Sequence, residues 1–287
     1  MSSRLIEKDV AGLKLKGFSA AGEESIVIVP DFNLAFDVGR APREIIAIDH
    51  VCLTHGHMDH AAGLAYYFSQ RHFQGIAPGT AIVPKPLVGP IEDLMKVWGR
   101  IEGHLTPIKL IGVDEDEDVE IRRGLIVRPF RVKHRAQSLG YAVIEVRKKL
   151  KPEYAELSGR QLADLKRKGE TIENRLEIPL LAYCGDTALA SFLDYDHVRN
   201  AQVLITECTF FDRDHLPRAR QGQHTHVQDL PELMQRVNNP NVVLTHFTNR
   251  TGIVAAKRAI EGVLSDVDRQ RITILMDRPR RPRPHRV

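Results

Sequence analysis

Residues 55–60 read His-Gly-His-Met-Asp-His, three imidazoles and a carboxylate within six positions, after the apolar run "VCLT" and before a stretch of helical character. Crowding so many ionisable groups into one turn costs free energy unless something compensates them, and a cation does so directly. Histidines two apart on an extended segment project to the same side, so His55 and His57 can converge on one ion. The turn into a helix then aims Asp59 and His60 at a second ion close by. Imidazole nitrogen and carboxylate oxygen suit zinc at roughly 2.0–2.2 Å, and manganese or iron tolerate the same set. Four ligands do not close two such sites, but other strand ends offer more: His134 in "VKHRAQSLGY", Asp186 in "YCGDT" and His246 in "LTHF". Asp186 can bridge both ions, which a neutral imidazole cannot. A two-metal centre about 3.5–4 Å across would hold a hydroxide and clamp a phosphoryl or acyl oxygen. The isolated His50, His72, His104 and His197 receive no role.

The elements that must position these groups are legible in outline. Short β-branched runs bounded by Gly, Pro and Asp predict strands at "ESIVIVP", "LAFDVG" and "HVCLTH". Helical character follows over "DHAAGLAYYFSQRHF", then a strand at "TAIVPKP" and a helix over "PIEDLMKVWGRI", in which Trp98 reads as core. The acidic "DEDED" at 114–118 reads as a solvated turn, and strands resume at "LIVRPFRV" and "LGYAVIEV". Between 147 and 178 nine basic residues stand against six acidic ones with few large apolar side chains, which predicts a small excursion outside the core. Afterwards "LLAYCGD", "AQVLITECTF" and "NVVLTHF" each run from apolar strand to ionisable residue. That recurring form places the chemistry on loops at one sheet edge.

With 287 residues and 43% hydrophobic content, one domain over 1–287 is expected, carrying the excursion at 147–178 and a basic tail at 278–287. The tail "RPRRPRPHRV" fits either a solubilising extension or an RNA-gripping arm, and its prolines forbid a helix. A net charge of +4 is compatible with a polyanionic partner without demanding one. No uninterrupted apolar run of about 18 residues is present, and Met1-Ser-Ser-Arg is too polar to open a secretory signal, so a cytoplasmic protein with no membrane contact is expected. Cys52, Cys184 and Cys208 lack the spacing of a disulfide scaffold and are expected reduced and buried.

The ligand pattern resembles the metallo-β-lactamase superfamily, in which H-x-H-x-D-H precedes a distant His, a G-D and a final His. More narrowly the chain is similar, over nearly its whole length, to the tRNase Z family in its short plant-type form. "HRAQSLGY", "CGDT", "ECTF" with a later "HTH", "THFTNR" and "LSGRQLADLKRKG" each match stretches of that group. The resemblance implies an α/β fold, a four-layer αβ/βα sandwich with a dinuclear zinc site, and endonucleolytic removal of the 3′ trailer from precursor tRNA. By matching positions, His55, His57 and His134 would hold one zinc, Asp59, His60 and His246 the other, and Asp186 both. Glu207 with His224 would protonate the leaving oxygen, and Asp59 would also orient the nucleophile or accept its proton. A surface salt bridge is the plainer reading of Glu207 and His224, set aside because "ECTF" stands in the family's serial order.

There are departures. "LKGFSAAGEES" replaces the glycine-rich opening, Thr251 stands where the family has Tyr, and the long bacterial arm is absent or reduced to 147–178. Affinity for tRNA is therefore expected from this excursion, from the tail or from the second subunit of a homodimer. Two rivals remain on the sequence: a small-molecule metallohydrolase (phosphodiesterase, lactonase or sulfatase) on the same scaffold, and a non-catalytic RNA-binding protein with a structural metal. The first has no use for the basic excursion, and the second none for a complete ligand set beside Glu207 and His224.

Overall fold

The computed structural model describes residues 4–277. Seven strands form the first sheet in chain order: β1 (Ile6–Val10), β2 (Leu13–Ala20), β3 (Glu24–Val29), β4 (Leu34–Phe36), β5 (His50–Cys52), β6 (Thr80–Pro84) and β7 (Lys109–Val113). Pairing is antiparallel from β1 to β4 and parallel from β4 to β7. The parallel half is connected by α1 (Met58–Ala61), α2 (Leu64–Phe73) and α3 (Val88–Glu102).

The second sheet repeats the scheme: β8 (Val119–Arg122), β9 (Leu125–Arg131), β10 (Leu139–Leu150) and β11 (Glu173–Tyr183) are antiparallel, with α4 (Gly159–Arg167) between the last two. Then β12 (Val203–Glu207), β13 (Asn241–Thr245) and β14 (Ile272–Ile274) add in parallel. They are linked by α5 (Asp196–Arg199), α6 (Leu216–Gly222), α7 (Leu230–Arg236), α8 (Ile253–Val263) and α9 (Asp266–Gln270).

Three packed layers of apolar side chains separate the elements. Val27, Phe36, Cys52, Tyr141, Tyr183 and Val243 fill the space between the sheets. Tyr67, Phe68, Ile91 and Met95 pack under α2 and α3, and Leu204, Leu230, Ala256 and Ile260 pack under α7 and α8. The result is the expected helix–sheet–sheet–helix sandwich. Strands such as β3, buried along their whole length, are covered on both faces, which is why their sequences read as near-continuous apolar runs. No helix among the described residues is long and apolar enough to cross a membrane. The three cysteines are unpaired and buried.

Trp98 corrects the sequence reading, because it is 40% exposed. Helix α3 is apolar on two faces, and periodicity alone does not say which one a sheet will take. Ile91, Met95 and Gly99, spaced by four, turn inward, while Leu94, Val97, Trp98 and Ile101 turn out.

At 147–178 the two longest strands continue beyond their neighbours. β9 accompanies β10 only to Glu145, and β12 meets β11 only at Leu181–Tyr183. From Val146↔Glu177 to Leu150↔Glu173 the pair runs on as a two-stranded ribbon, closed by α4, whose start is fixed by a Ser158–Gln161 capping box. The basic tail at 278–287 lies outside the described residues.

Candidate metal centre

Every element carrying a candidate ligand points its C-terminal end to one edge of the sandwich, the usual place for a ligand in open parallel sheets. After β5 the chain runs extended through Thr54, His55 and Gly56 and turns at His57 into α1, which carries Asp59 and His60. His134 lies on the β9–β10 connection, Asp186 just past β11, Glu207 at the end of β12 and His246 just past β13. Gly185 holds φ +61°, and a Cβ there would lie 2.8 Å from the Thr54 Cγ2, so only glycine lets the Asp186 loop pass this close to the His55 strand. Asp37 and His246 adopt left-handed φ values of 55° and 59° without being glycine. Such strain gathers at functional sites.

The structure brings all seven candidate ligands together. Asp186 is buried, with Oδ2 3.9 Å from His55 Nε2 and 4.0 Å from His134 Nε2. Its Oδ1 lies 3.3 Å from His60 Nε2 and 3.4 Å from His246 Nε2. His57 Nδ1 is 3.4 Å from His134 Nε2, and Asp59 Oδ2 is 3.4 Å from His246 Nε2 and 3.7 Å from His60 Nε2. Donor atoms on a tetrahedron with bonds of 2.0–2.1 Å stand about 3.3–3.5 Å apart, close to these spacings. One carboxylate thus offers an oxygen to each of two clusters, His55–His57–His134 and Asp59–His60–His246.

The donor set fits divalent metal ions on a second ground. His55 Nε2, His60 Nε2 and Asp186 Oδ1 are buried without a hydrogen-bond partner among the described residues, an arrangement that costs free energy unless a cation satisfies them. Burial, helped by the neighbouring His60, pushes the His55 imidazole down to about 2, so it stays neutral with a lone pair free. Burial alone would raise the Asp59 carboxyl, but contact with His246 and His60 outweighs it and holds the group well below the usual carboxylate range.

The opposite nitrogens are tied down behind the ligands. His60 Nδ1 donates to Asp37 Oδ2 at 2.8 Å. Asp37 is fully buried and also accepts from the Thr54 amide (2.8 Å), the Thr54 hydroxyl (2.8 Å) and the Tyr183 hydroxyl (3.0 Å). Because the Thr54 hydroxyl spends its proton on Asp37, it accepts from His55 Nδ1 at 3.0 Å. A second relay repeats the logic: Thr209 donates to Glu207 and accepts from His246 Nδ1 at 2.9 Å. Each carboxylate–threonine–histidine chain fixes a tautomer whose Nε2 faces the cluster. Asp37, Thr54, Thr209 and Tyr183 escaped the sequence reading. The available signal was an Asp ending the apolar run "LAFD" and a Thr beside each ligand or carboxylate in "LTHG" and "ECTF".

Glu207 is fully buried, so the surface salt bridge does not describe it. It accepts from the Thr187 amide (2.7 Å), the Thr225 amide (3.1 Å), Thr209 and His224 Nδ1 (2.7 Å). Asp186, Glu207, His224 and His246 also present ligand atoms within 4.8 Å of one another, but both Glu207 oxygens are saturated by protein donors, which leaves none for an ion. Burial disfavours the His224 imidazolium; the adjacent Glu207 more than offsets this and raises the group to about 9. Its ring lies 5.0 Å from His134 and 5.5 Å from His246, beside both clusters. His226 instead caps the turn at Val227–Asp229, and Thr251 hydrogen-bonds Asp212.

A fold of this kind with paired His/Asp clusters at the strand ends defines a class, and residues 29–247 match the family model of the beta-lactamase superfamily domain. The chain is 34% identical over 260 residues to the chloroplastic tRNase Z TRZ2 of Arabidopsis thaliana, covering 88% of this chain and 72% of that protein. It is 32% identical over 257 residues to tRNase Z TRZ1 of the same plant, covering 88% and 92%. The crystal structure of the short form of human tRNase Z shares the fold, with a TM-score of 0.59 at 18% identity over 90% of this chain and 93% of that one. The chain belongs to the tRNase Z family of the metallo-β-lactamase superfamily.

Proposed function

We propose that this protein is an endoribonuclease that removes the 3′ trailer of precursor tRNA, leaving a 3′-hydroxyl on the tRNA, and that it does so with two zinc ions per subunit. The observation that carries the reading is the Glu207–His224 pair opening on the metal cleft of a chain whose relatives are named tRNase Z. His55, His57 and His134 would hold one ion and Asp59, His60 and His246 the other, with an Asp186 oxygen available to each. When bound, the ions supply Lewis-acid polarisation of the phosphodiester and activation of water.

The chain's own groups do the rest. Asp59, held by the Gly22 amide at 2.8 Å, orients the attacking water or takes its proton. His224 gives its Nδ1 proton to the hydrogen bond with Glu207, which leaves Nε2–H for the cleft. As water oxygen bonds to phosphorus and the bond to the 3′-oxygen breaks, that proton passes to the departing oxygen. A small-molecule hydrolase on this scaffold lacks any use for the ribbon at 147–178. There Lys149, Lys151, Arg160 and Lys168 have no carboxylate partner among the described residues. Within a single domain spanning 1–287, this ribbon is the part that grips RNA phosphates, and binding weakens steeply with salt.

Incubation with a trailer-bearing precursor tRNA is expected to give a cut next to the discriminator base. Absence of cleavage across zinc, manganese and iron at low and moderate salt would sink the reading. The partner in solution is a second copy of the chain. In support, α2 and α3 turn Phe73, Leu94, Val97, Trp98 and Ile101 to the outside, and Leu105 just past α3 is exposed beside them, a large apolar area for a free surface. Light scattering is expected to give a dimer mass for the native chain and a monomer mass for Trp98→Glu with Ile101→Lys; a native monomer refutes the dimer. Three buried thiols without a disulfide support a reducing compartment, the cytoplasm.

A further inference from the structure

Two clefts flank the candidate metal centre, and their charge differs. One, of about 430 Å³, is lined by His57, Asp59, Asp186, His224 and His246 together with Arg218 and Arg250. Neither arginine has a carboxylate partner among the described residues, so both guanidinium groups are free for phosphate. The other, of about 560 Å³, lies beyond His134. The His57–His134 pair, 3.4 Å apart, stands between them.

The second cavity is built for something other than phosphate. Its charged groups are paired off, Arg131 with Glu115 at 2.5 Å and Asp114 with Lys85 at 3.4 Å, which leaves none of the lining cations free for a phosphate. Pro84, Val113 and Leu139 supply apolar surface, and the side-chain amide of Gln137, which is exposed and makes no hydrogen bond among the described residues, supplies a donor and an acceptor on one group. An apolar slot with a few convergent polar groups and no free cation matches a nucleobase. A glutamine amide can pair with the hydrogen-bonding edge of adenine.

The side of the cut that this base belongs to follows from His224, and here the inference rests on the endoribonuclease reading. His224 protonates the departing 3′-oxygen, so the tRNA nucleoside that keeps this oxygen lies in the His224 cleft, with its phosphates near Arg218 and Arg250. The nucleoside on the 5′-oxygen of the same phosphate must leave by another route. We propose that the cavity beyond His134 is a subsite for the base of the first trailer nucleotide, with Gln137 as its specificity residue.

The test uses the full-length, zinc-loaded protein and precursor tRNAs that differ only in the first trailer residue: adenosine, uridine or an abasic ribose. With the native chain, the abasic precursor is expected to raise KM about tenfold over adenosine, and uridine about threefold, at nearly unchanged kcat, within the range of single-base contacts. Gln137→Trp, which fills the cavity from an exposed loop position, is expected to compress that ratio to about one, and Gln137→Ala to remove the adenosine–uridine difference. Because each ratio is taken within one protein, partial loss of folded enzyme does not change it. Equal KM values for all three precursors with the native chain, or a tenfold ratio that survives Gln137→Trp, overturns the subsite while leaving the endoribonuclease reading intact. No cut in any precursor overturns that reading, and the subsite with it.

Discussion

Asp186→Asn is expected to abolish turnover and to strip the centre of metal while the sandwich stays folded. Asp186 is buried, and its two oxygens face different clusters, Oδ2 toward His55 and His134 and Oδ1 toward His60 and His246. The amide removes one negative charge from the site proposed to hold two divalent ions and replaces one oxygen with a donor that repels any cation it faces. Metal affinity should fall by about 10–100-fold or more, the loss already seen when merely supporting partners of ligands are changed. A two-ion centre supplies several kcal/mol of transition-state stabilisation, and each 1.36 kcal/mol is tenfold, so kcat should drop about 10³-fold or more. Elemental analysis of the dialysed protein and single-turnover cleavage check both parts, with circular dichroism as the control for folding. Full metal content with native kcat would remove Asp186 from the centre altogether.

His224→Ala should separate RNA from an activated substrate. If His224 donates the proton to the 3′-oxygen, its loss costs about 10²–10⁴-fold in kcat on precursor tRNA, the usual worth of a general acid. A chromogenic diester such as bis(p-nitrophenyl) phosphate departs as a stable phenolate and needs no proton, so its hydrolysis by the same variant should stay within a few-fold of native. Asp186→Asn loses both activities, which distinguishes a proton donor from a ligand. The Glu207 carboxylate raises His224 to about 9, keeping it charged at neutral pH, so Glu207→Gln should follow His224→Ala on both substrates with a smaller loss on RNA. An equal loss on RNA and on the chromogenic diester would mean that His224 shapes the centre and does not protonate.

Much of the fold was legible because strands buried on both faces, such as "ESIVIV" and "TAIVP", are written mostly with apolar residues. Expected strands began at residue 24, whereas β1 and β2 precede it; β1, "IEKDV", lies at the sheet edge with three of its residues at least partly exposed, so its charges mask the pattern. The short β14 and the helices α6–α9 were likewise passed over. Trp98 was misplaced for a different reason, since both faces of α3 are apolar and only the sheet selects one.

The same division runs through the site. His55, His57, Asp59 and His60 were legible by themselves because six consecutive residues fix their own geometry: extended backbone puts two imidazoles on one side and the turn into α1 redirects the next two groups. The sequence also singled out His134, Asp186 and His246 as ionisable groups at strand ends, and determined Glu207 and His224 as a pair through their motif. Only the tertiary structure decided that Asp186 divides its oxygens between two clusters, that Glu207 is buried and saturated, and that Asp37–Thr54–His55 and Glu207–Thr209–His246 form matching relays. The site's contacts join residues as far as 187 positions apart, as from Asp59 to His246, and they exist because two sheets, each turning from antiparallel to parallel pairing, bring their strand ends to the same edge. A local spacing rule carries information only as far as the local backbone does; beyond that, packing decides.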